Sequence, residues 1–226
     1  KAILFNSPHN PSGRVFTEEE LTVIRDLCVE HDTVAISDEI YEHLVFDGRR
    51  HIPIATFPGM AERTITICGF GKTFAVTGWR IGYALAGEDL TDAVRKVHDF
   101  TTVCAPTPLQ EAMAAVIGLP DDYYEWLRTF YTSRRERMLG ILRSHGFQYA
   151  VPEGAYYVMG DFRHLGRGDD DMAFAYWLID EVGVGTVPGS SFYASDPQLG
   201  RGMVRFAFPK KDETLDEVER RFAKLK

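Results

Sequence analysis

One lysine stands where a protein could present a reactive amine. Lys72 follows the β-prone run 64–67, close behind Gly69 and Gly71, and Arg80 comes eight residues later. A lysine can form a Schiff base with a carbonyl group when part of its amine is neutral. The two glycines predict room for a flat cofactor, and the planar guanidinium of Arg80 suits a phosphate. The alternative is a surface lysine in a glycine-rich turn.

The tripeptide from Gly71 to Thr73 also resembles the tail of a phosphate-binding loop. That motif needs another glycine five residues before its second glycine, and this chain has Thr66 there. Because Thr66 belongs to a β-prone run and not to a loop, the sequence does not predict a nucleotide triphosphatase.

Four further polar residues could complete a site around the amine. Pyridoxal phosphate is a cofactor that uses such a lysine, and its pyridine nitrogen needs a facing carboxylate, for which Asp38 is the candidate. The phenol of Tyr41 and the amide of Asn10 could bond the ring oxygen of that cofactor. Arg205 lies in an apolar β-prone run, where a charge is costly unless paired, and could bind a substrate carboxylate with two hydrogen bonds.

Each of these four residues also has a purely structural interpretation. Asp38 could cap a helix, and Tyr41 could pack in the core. Asn10 could form a plain turn. Arg205 could form an internal salt bridge or lie on an edge strand. Taken one at a time, the residues do not decide between these interpretations and a binding site.

The first part of the chain has the pattern of an α/β fold. Four β-prone runs occur in it, at residues 2–5, 33–36, 64–67 and 81–86. Between the first two, Thr17 with Glu20 three residues later forms a capping box, which predicts the start of a helix. Strand, helix and strand at this spacing predict a parallel crossover.

Ligands of parallel sheets gather beyond the carboxyl ends of the strands. Asn10 follows the first β-prone run, Asp38 ends the second and Lys72 follows the third. The sequence therefore predicts that these three polar residues converge on one edge of the sheet.

The rest of the chain is predicted to be helical and then mixed. Helices are expected at residues 90–100, 109–117, 123–145, 171–181 and 214–225. Short strands are expected at residues 147–151, 155–160, 184–187 and 203–208. The charged run 134–137 is interpreted as a solvated helix face. Tyr156 and Tyr157 could line a pocket or pack in the core. We expect a smaller α+β domain, joined to the sheet by the long helix.

The composition limits the possible partners. The 226 residues carry 33 acidic and 25 basic side chains, a formal net charge of −8, which argues against nucleic acid and anionic membranes as partners. No apolar run is long enough for a membrane helix and no signal peptide is visible, so we expect a cytoplasmic protein. The three cysteines are widely spaced and the seven histidines form no ligand pattern, so neither a disulfide nor a metal site is predicted.

Four segments in order resemble one known family. They are residues 7–13 (SPHNPSG), 37–42 (SDEIYE), 71–80 (GKTFAVTGWR) and 204–206 (VRF). They are similar to the class I/II aminotransferases of the pyridoxal-phosphate-dependent fold-type I superfamily, which includes aspartate and kynurenine aminotransferases. The resemblance runs nearly end to end. It implies transfer of an amino group between an amino acid and a 2-keto acid by a ping-pong mechanism, in a homodimer.

The resemblance also implies a domain division and a role for each candidate residue. Residues 1–120 would be the later portion of a large cofactor-binding α/β domain, and residues 121–226 the connecting helix and the small α+β domain. Lys72 would be the Schiff-base lysine and proton shuttle, and Asp38 would face the pyridine nitrogen. Tyr41 and Asn10 would bond the ring oxygen. Arg80 would bind the cofactor phosphate, and Arg205 the substrate carboxylate.

Two departures from the family pattern and two rival functions remain. Many members carry a serine, as a phosphate ligand, where this chain has Gly69. The front half of the family is missing, and the chain opens on Lys1 without a methionine, so we expect a part of a longer protein.

Two other functions are possible for a chain with these motifs. A carbon–sulfur β-lyase of the same superfamily shares the same motifs. Aminotransferase-like domains also serve as effector-binding modules of transcription regulators.

Overall fold

A computed structural model describes residues 1–225 of the chain. Its contacts divide the chain into two compact units. The first unit holds Lys1–His9 and Arg14–Leu127, and the second holds Asn10–Gly13 with the residues from Arg128 onward. The division falls inside one long helix, Asp121–Ser144. The expected boundary between residues 120 and 121 lies at the start of this helix.

A four-stranded sheet forms the centre of the first unit. Its strands are β1 (Ala2–Asn6), β2 (Val34–Asp38), β3 (Thr64–Gly69) and β4 (Gly82–Leu85). They lie in the order β1-β2-β3-β4, with the first three parallel and β4 antiparallel to β3. The predicted α/β class and the parallel crossover are therefore confirmed.

Helix α1 (Glu18–Glu30) connects β1 to β2 and covers the core of the first unit. The predicted capping box is present: Glu20 N donates to Thr17 Oγ1 at 3.3 Å, and Thr17 N donates to Glu20 Oε2 at 2.9 Å. These two bonds satisfy backbone donors that a helix start leaves unpaired. The core that the helix helps to close consists of Leu21, Cys28, Ala35, Ile54 and Met60.

Four helices follow β3 and β4, and the sequence predicted all of them except the short α2. They are α2 (Phe70–Thr73), α3 (Glu88–Thr101), α4 (Thr107–Val116) and α5 (Asp121–Ser144). Helix α3 buries none of its residues, and its Phe100 side chain is 93% exposed. No helix in residues 1–225 combines the length and the apolar character needed to cross a membrane.

The second unit is built on a three-stranded antiparallel sheet. Its strands are β5 (Tyr157–Asp161), β6 (Val187–Pro188) and β7 (Met203–Ala207), with β7 in the middle. Helices α6 (Asp171–Trp177) and α7 (Asp212–Phe222) belong to the same unit. Buried phenylalanines form its core, at positions 147, 162, 174, 206, 208 and 222.

Three sequence-based expectations for the second unit are wrong. Residues 147–151 form only an isolated bridge from Gln148 to Asp161, because Phe147 is drawn into the aromatic core. Residues 184–187 contribute only the start of the two-residue strand β6, which ends at Pro188, a residue without an N–H for a ladder. The charged run 134–137 is not fully solvated, since Arg135 is buried and donates to the carbonyl of Pro152 at 2.9 Å.

Candidate active site

The carboxyl end of β2 presents Asp38. This residue is the last of the strand, opposite Asn6 of β1 and Ile67 of β3. Its Oδ1 accepts a hydrogen bond from the backbone N–H of Ile40 at 3.2 Å, and no described residue donates to Oδ2. A turn and not a helix follows, so the helix-capping interpretation of Asp38 is wrong. One carboxylate oxygen is thus available to a ligand.

Lys72 lies beyond the carboxyl end of the neighbouring strand. It belongs to α2, a single helical turn that starts directly after β3, and its side chain is partly buried. Its Nζ is 5.8 Å from the centre of the Tyr41 ring. Tyr41 is buried in the turn that follows Asp38. The adjacent strands β2 and β3 therefore place a carboxylate, a phenol ring and an amine at the same edge of the first sheet.

The two glycines before Lys72 lie close to other atoms of the protein. A Cβ atom at Gly69 would lie 2.8 Å from Ile40 Cδ1, and one at Gly71 would lie 3.2 Å from the Cα of Thr77. A Cβ atom at either position would require a neighbouring atom to shift. Close packing within the protein is thus one reason for glycine here, and the room for a flat cofactor stays a prediction.

Arg80 lies in the same unit with its charge available. Its backbone has a φ of +55°, in the left-handed region, and its side chain is exposed. Its Nη1 donates to the carbonyl of Thr77 at 3.0 Å. No carboxylate of residues 1–225 forms an ion pair with it. A planar guanidinium held at one end and open at the other can bind an anion.

Arg205 lies in the second unit, on the central strand β7, between Met159 of β5 and Val187 of β6. Its Nη1 donates to Oδ1 of Asn10 at 2.7 Å. Its Nε is buried without a hydrogen-bond partner, and no carboxylate within residues 1–225 pairs with it. Both structural alternatives, an edge strand and an internal salt bridge, are therefore wrong.

Two aromatic rings hold the Arg205 guanidinium. Its Cζ lies 4.0 Å from the centre of the Tyr157 ring and 4.9 Å from that of Phe192. Arginine stacks on aromatic faces through its flat, delocalised charge. Tyr157 is buried and packs against Arg205, so of the two predicted roles for this tyrosine, lining a pocket or packing in the core, the structure supports packing. The strand sequence alone gave no sign of Phe192.

The contact with Arg205 fixes the orientation of the Asn10 amide. A guanidinium has donors only, so the amide atom that faces it must be the carbonyl oxygen. The Nδ2 group of Asn10 then points its two donors elsewhere, and none of them is used by a described residue. By its contacts Asn10 belongs to the second unit, whereas Asp38 and Lys72 lie in the first, so the convergence of all three residues stays a prediction.

A buried carboxylate, Glu39, lies next to Asp38 and was not predicted from the sequence. Glu39 is 1% exposed, accepts from Ser37 Oγ at 2.8 Å through Oε1, and contacts His51 Nε2 at 2.7 Å through Oε2. Side chains alternate between the two faces of a strand, so the sequence could have predicted that Ser37 and Glu39 lie on the opposite face from Asp38. No sequence pattern predicted that His51, twelve positions later, would be the partner of Glu39.

Two ionisable side chains of the first unit, Cys68 and Tyr83, have raised pKa values. Burial, together with the charge of Glu42, raises the pKa of the Cys68 thiol to about 12. The same two causes raise the pKa of Tyr83, whose hydroxyl lies 3.5 Å from Glu42 Oε1. A thiol in this state is a poor nucleophile, so Lys72 and not Cys68 is the candidate nucleophile of this unit.

Comparison with known proteins decides the family. The profile described as "Aminotransferase class I and II" matches residues 1–222. The chain belongs to the class I and II aminotransferases. This family membership confirms the resemblance that the four ordered segments indicated.

Curated relatives in this family are similar to the whole chain. The kynurenine–oxoglutarate transaminase of Dictyostelium discoideum is 40% identical over 247 residues, which cover 100% of this chain and 57% of the relative. The human protein named kynurenine–oxoglutarate transaminase 3 is 41% identical over 97% of this chain and 52% of its own length. This aminotransferase chain therefore spans about half the length of the curated relatives that it matches.

Solved structures of aminotransferases share the fold. The N-succinyldiaminopimelate aminotransferase of Mycobacterium tuberculosis has a TM-score of 0.95 at 40% identity and covers 100% of this chain, which spans 58% of that structure. Escherichia coli YbdL, described with a methionine aminotransferase function, has a TM-score of 0.91 at 31% identity, over 99% of this chain and 58% of its own. The α/β architecture is therefore that of the family.

Proposed function

We propose that the natural full-length protein is a pyridoxal-phosphate-dependent aminotransferase. The observation that carries the proposal is the placement of Lys72 within 5.8 Å of the Tyr41 ring, beside the strand end that bears Asp38. Family membership supports the same reaction. The relatives reported above are all named or described as transaminases or aminotransferases, which favours this activity over a β-lyase or an effector-binding module.

The side chains of this chain fit pyridoxal 5′-phosphate. Asp38 keeps one carboxylate oxygen available, which suits a protonated pyridine nitrogen. Asn10 keeps its amide donors available for a ring oxygen, and Tyr41 would add its phenol. Arg80 has an open guanidinium for the phosphate. When bound, this cofactor supplies a ring that withdraws electrons from the substrate α-carbon.

Each residue would then perform one step that its chemistry allows. Lys72 Nζ would bind the cofactor covalently and, once released, would accept the proton from the substrate α-carbon. Asp38 would hold the proton on the pyridine nitrogen. Arg205 would bind the substrate carboxylate with two parallel hydrogen bonds, and this contact would orient the α-carbon.

The substrates would be an amino acid and a 2-keto acid. The names of the relatives span kynurenine, N-succinyldiaminopimelate and methionine, and each of these compounds carries the α-carboxylate that Arg205 would recognise. A homodimer and a cytoplasmic location remain predictions from the family resemblance and from the sequence. Size-exclusion chromatography with light scattering on the full-length protein measures the first of these.

The decisive experiment compares Lys72→Ala with the full-length parent. Both proteins are incubated with pyridoxal 5′-phosphate, reduced with borohydride, digested and analysed by mass spectrometry. We expect the cofactor mass on the peptide that contains Lys72 in the parent and nowhere in the variant. Lys96→Ala, at an exposed lysine of α3, is the matched control and should label like the parent. Labelling of the Lys72→Ala protein at other lysines to the same extent would refute the assignment.

A further inference from the structure

The turn that carries Asp38 and Tyr41 is closed from behind by a buried polar pair. Glu39 follows Asp38 directly and contacts His51 Nε2 at 2.7 Å, so the contact closes the loop 39–51. Both are almost inaccessible when the side chain alone is counted, with 2% of the Glu39 side chain and 8% of the His51 side chain exposed. A carboxylate this deeply buried is costly unless each of its oxygens has a partner. Ser37 Oγ supplies the second partner at 2.8 Å.

The geometry assigns hydrogen-bonding roles within the pair. An ionised carboxylate only accepts, so the His51 nitrogen that faces Glu39 carries the hydrogen. The other ring nitrogen, Nδ1, is buried and has no partner among residues 1–225. A hydrogen on Nδ1 would have no acceptor there, which agrees with a hydrogen on Nε2 that points to Glu39.

The backbone ties this pair to the candidate site. Glu39 N–H donates to the carbonyl of Ile67 at 2.8 Å, which extends the β2–β3 ladder one residue beyond Asp38. The carbonyl of Glu39 accepts from Glu42 N at 2.9 Å, which closes the turn around Tyr41. Alternation along the strand directs the Asp38 side chain to the opposite face from Glu39. A shift of Glu39 therefore shifts both residues of the site.

We propose that Glu39 and His51 are positioning residues, which hold Asp38 and Tyr41 in register with Lys72 from the opposite face of the sheet. They do not touch the cofactor or the substrate. The proposal rests on the proposed function for the identity of the ligand, but the mechanical coupling of Glu39 to the turn can be measured without any ligand.

The test uses a double variant of the natural full-length protein, Glu39→Leu with His51→Leu. Removing both partners leaves no unpaired buried charge, so the variant is expected to fold. Amide hydrogen exchange of the cofactor-free protein is measured at Ile40, Glu42 and Leu44. We expect exchange at these amides to rise at least tenfold in the double variant, with the other amides of β1 and β3 changed less than threefold.

Two comparison variants separate positioning from general stability. Asp171→Leu removes another buried carboxylate, one that accepts from Ser190 N at 2.7 Å in the second unit, and should leave exchange at Ile40 and Glu42 as in the parent. Glu39→Gln keeps an acceptor for His51 and a donor for Ser37, and should restore parental exchange. Equal exchange in the double variant and the parent, or a uniform rise across the first unit, would overturn the proposal.

A second readout uses the bound cofactor. In the double variant we expect the dissociation constant of pyridoxal 5′-phosphate to rise about tenfold and the pH midpoint of the visible absorption band to move, because Asp38 and Tyr41 are displaced. Glu39→Gln should return both values to those of the parent. If the parent binds no cofactor, the proposed function fails while the exchange result still decides the coupling. Unchanged cofactor binding with altered exchange would refute the positioning role.

Discussion

Glu39, which is buried, and Arg205, which is partly buried, are two charged residues with opposite patterns of partners. Glu39, in the first unit, has both carboxylate oxygens engaged, by Ser37 and by His51. Arg205, in the second unit, has one neutral hydrogen-bond partner, two aromatic rings and no carboxylate within residues 1–225. The protein itself supplies the partners of Glu39, whereas Arg205 has no anionic partner among the described residues.

This difference separates a structural charge from a binding charge. A buried ion that is fully paired stabilises the fold only when its partners stay in place, and removal of one partner is strongly destabilising. A guanidinium supported by rings but without an anion carries an unfavourable desolvation cost, which a bound carboxylate can offset. The pattern of partners, more than burial itself, supports the proposals that Arg205 binds a substrate carboxylate and that Glu39 holds the turn around Tyr41.

Arg205→Ala tests the binding half of the comparison and should have the largest effect. We expect kcat/KM for amino-acid substrates to fall about 1000-fold, or about 4 kcal/mol, because the paired carboxylate contact is lost. Stability should change little, since the arginine has no counter-ion in the fold. Steady-state kinetics and thermal unfolding of the same preparations measure both quantities. Arg205→Lys is the matched variant; full activity in it would argue against two-point binding of the carboxylate.

Glu39→Ala tests whether Glu39 has a structural role, and its main effect should be on the stability of the fold. His51 and Ser37 lose their common acceptor, and we expect unfolding to become about 3 kcal/mol easier. Denaturant unfolding of the full-length protein measures this change. A drop in activity without any loss of stability would place Glu39 on the same footing as Arg205 and would end the distinction between them.

The rings around Arg205 should contribute less than the charge itself. For Tyr157→Ala we expect kcat/KM to fall about tenfold, since a cation–π contact with a partly desolvated arginine contributes about 1–2 kcal/mol. Tyr157→Phe keeps the ring and should stay within about twofold of the parent. If the two variants lose activity equally, the hydroxyl and not the stacking supports Arg205.

A substitution far from Glu39 and Arg205 should have the smallest effect of the four. Thr17→Ala removes the side-chain acceptor of the α1 capping box and should cost about 1 kcal/mol of stability. Kinetic constants should remain those of the parent, because the cap touches neither Glu39 nor Arg205. Altered KM in this variant would show that stability losses alone disturb the site, and it would weaken the interpretation of the larger effects.

The sequence was sufficient for features that depend on local pattern. It predicted the parallel crossover, the start of α1 at Thr17 and the helices α3, α4 and α5, because each rests on spacing within a few residues. It also predicted that Arg205 would be an unusual charge, since arginine in an apolar strand is costly.

The remaining features depend on contacts that spacing does not encode. His51 contacts Glu39 from twelve positions further along the chain, and Phe192 contacts Arg205 from outside any strand. Gly69 also lies against Ile40, whose Cδ1 would be 2.8 Å from a Cβ atom at position 69, and the spacing gave no sign of this contact. Each of these contacts is set by the tertiary path of the chain, so the roles of individual residues were harder to predict than the elements that carry them.

The apolar surface of the first unit bears on how this chain behaves when it is produced alone. Strand β1 lies at one edge of the sheet and exposes 72% of Leu4, β4 lies at the other edge and exposes 61% of Leu85, and α3 exposes 64% of Val97. Unpaired strand edges and apolar patches promote aggregation. A preparation of these 226 residues should scatter light increasingly with concentration, and its apparent mass should not be taken as the native assembly state.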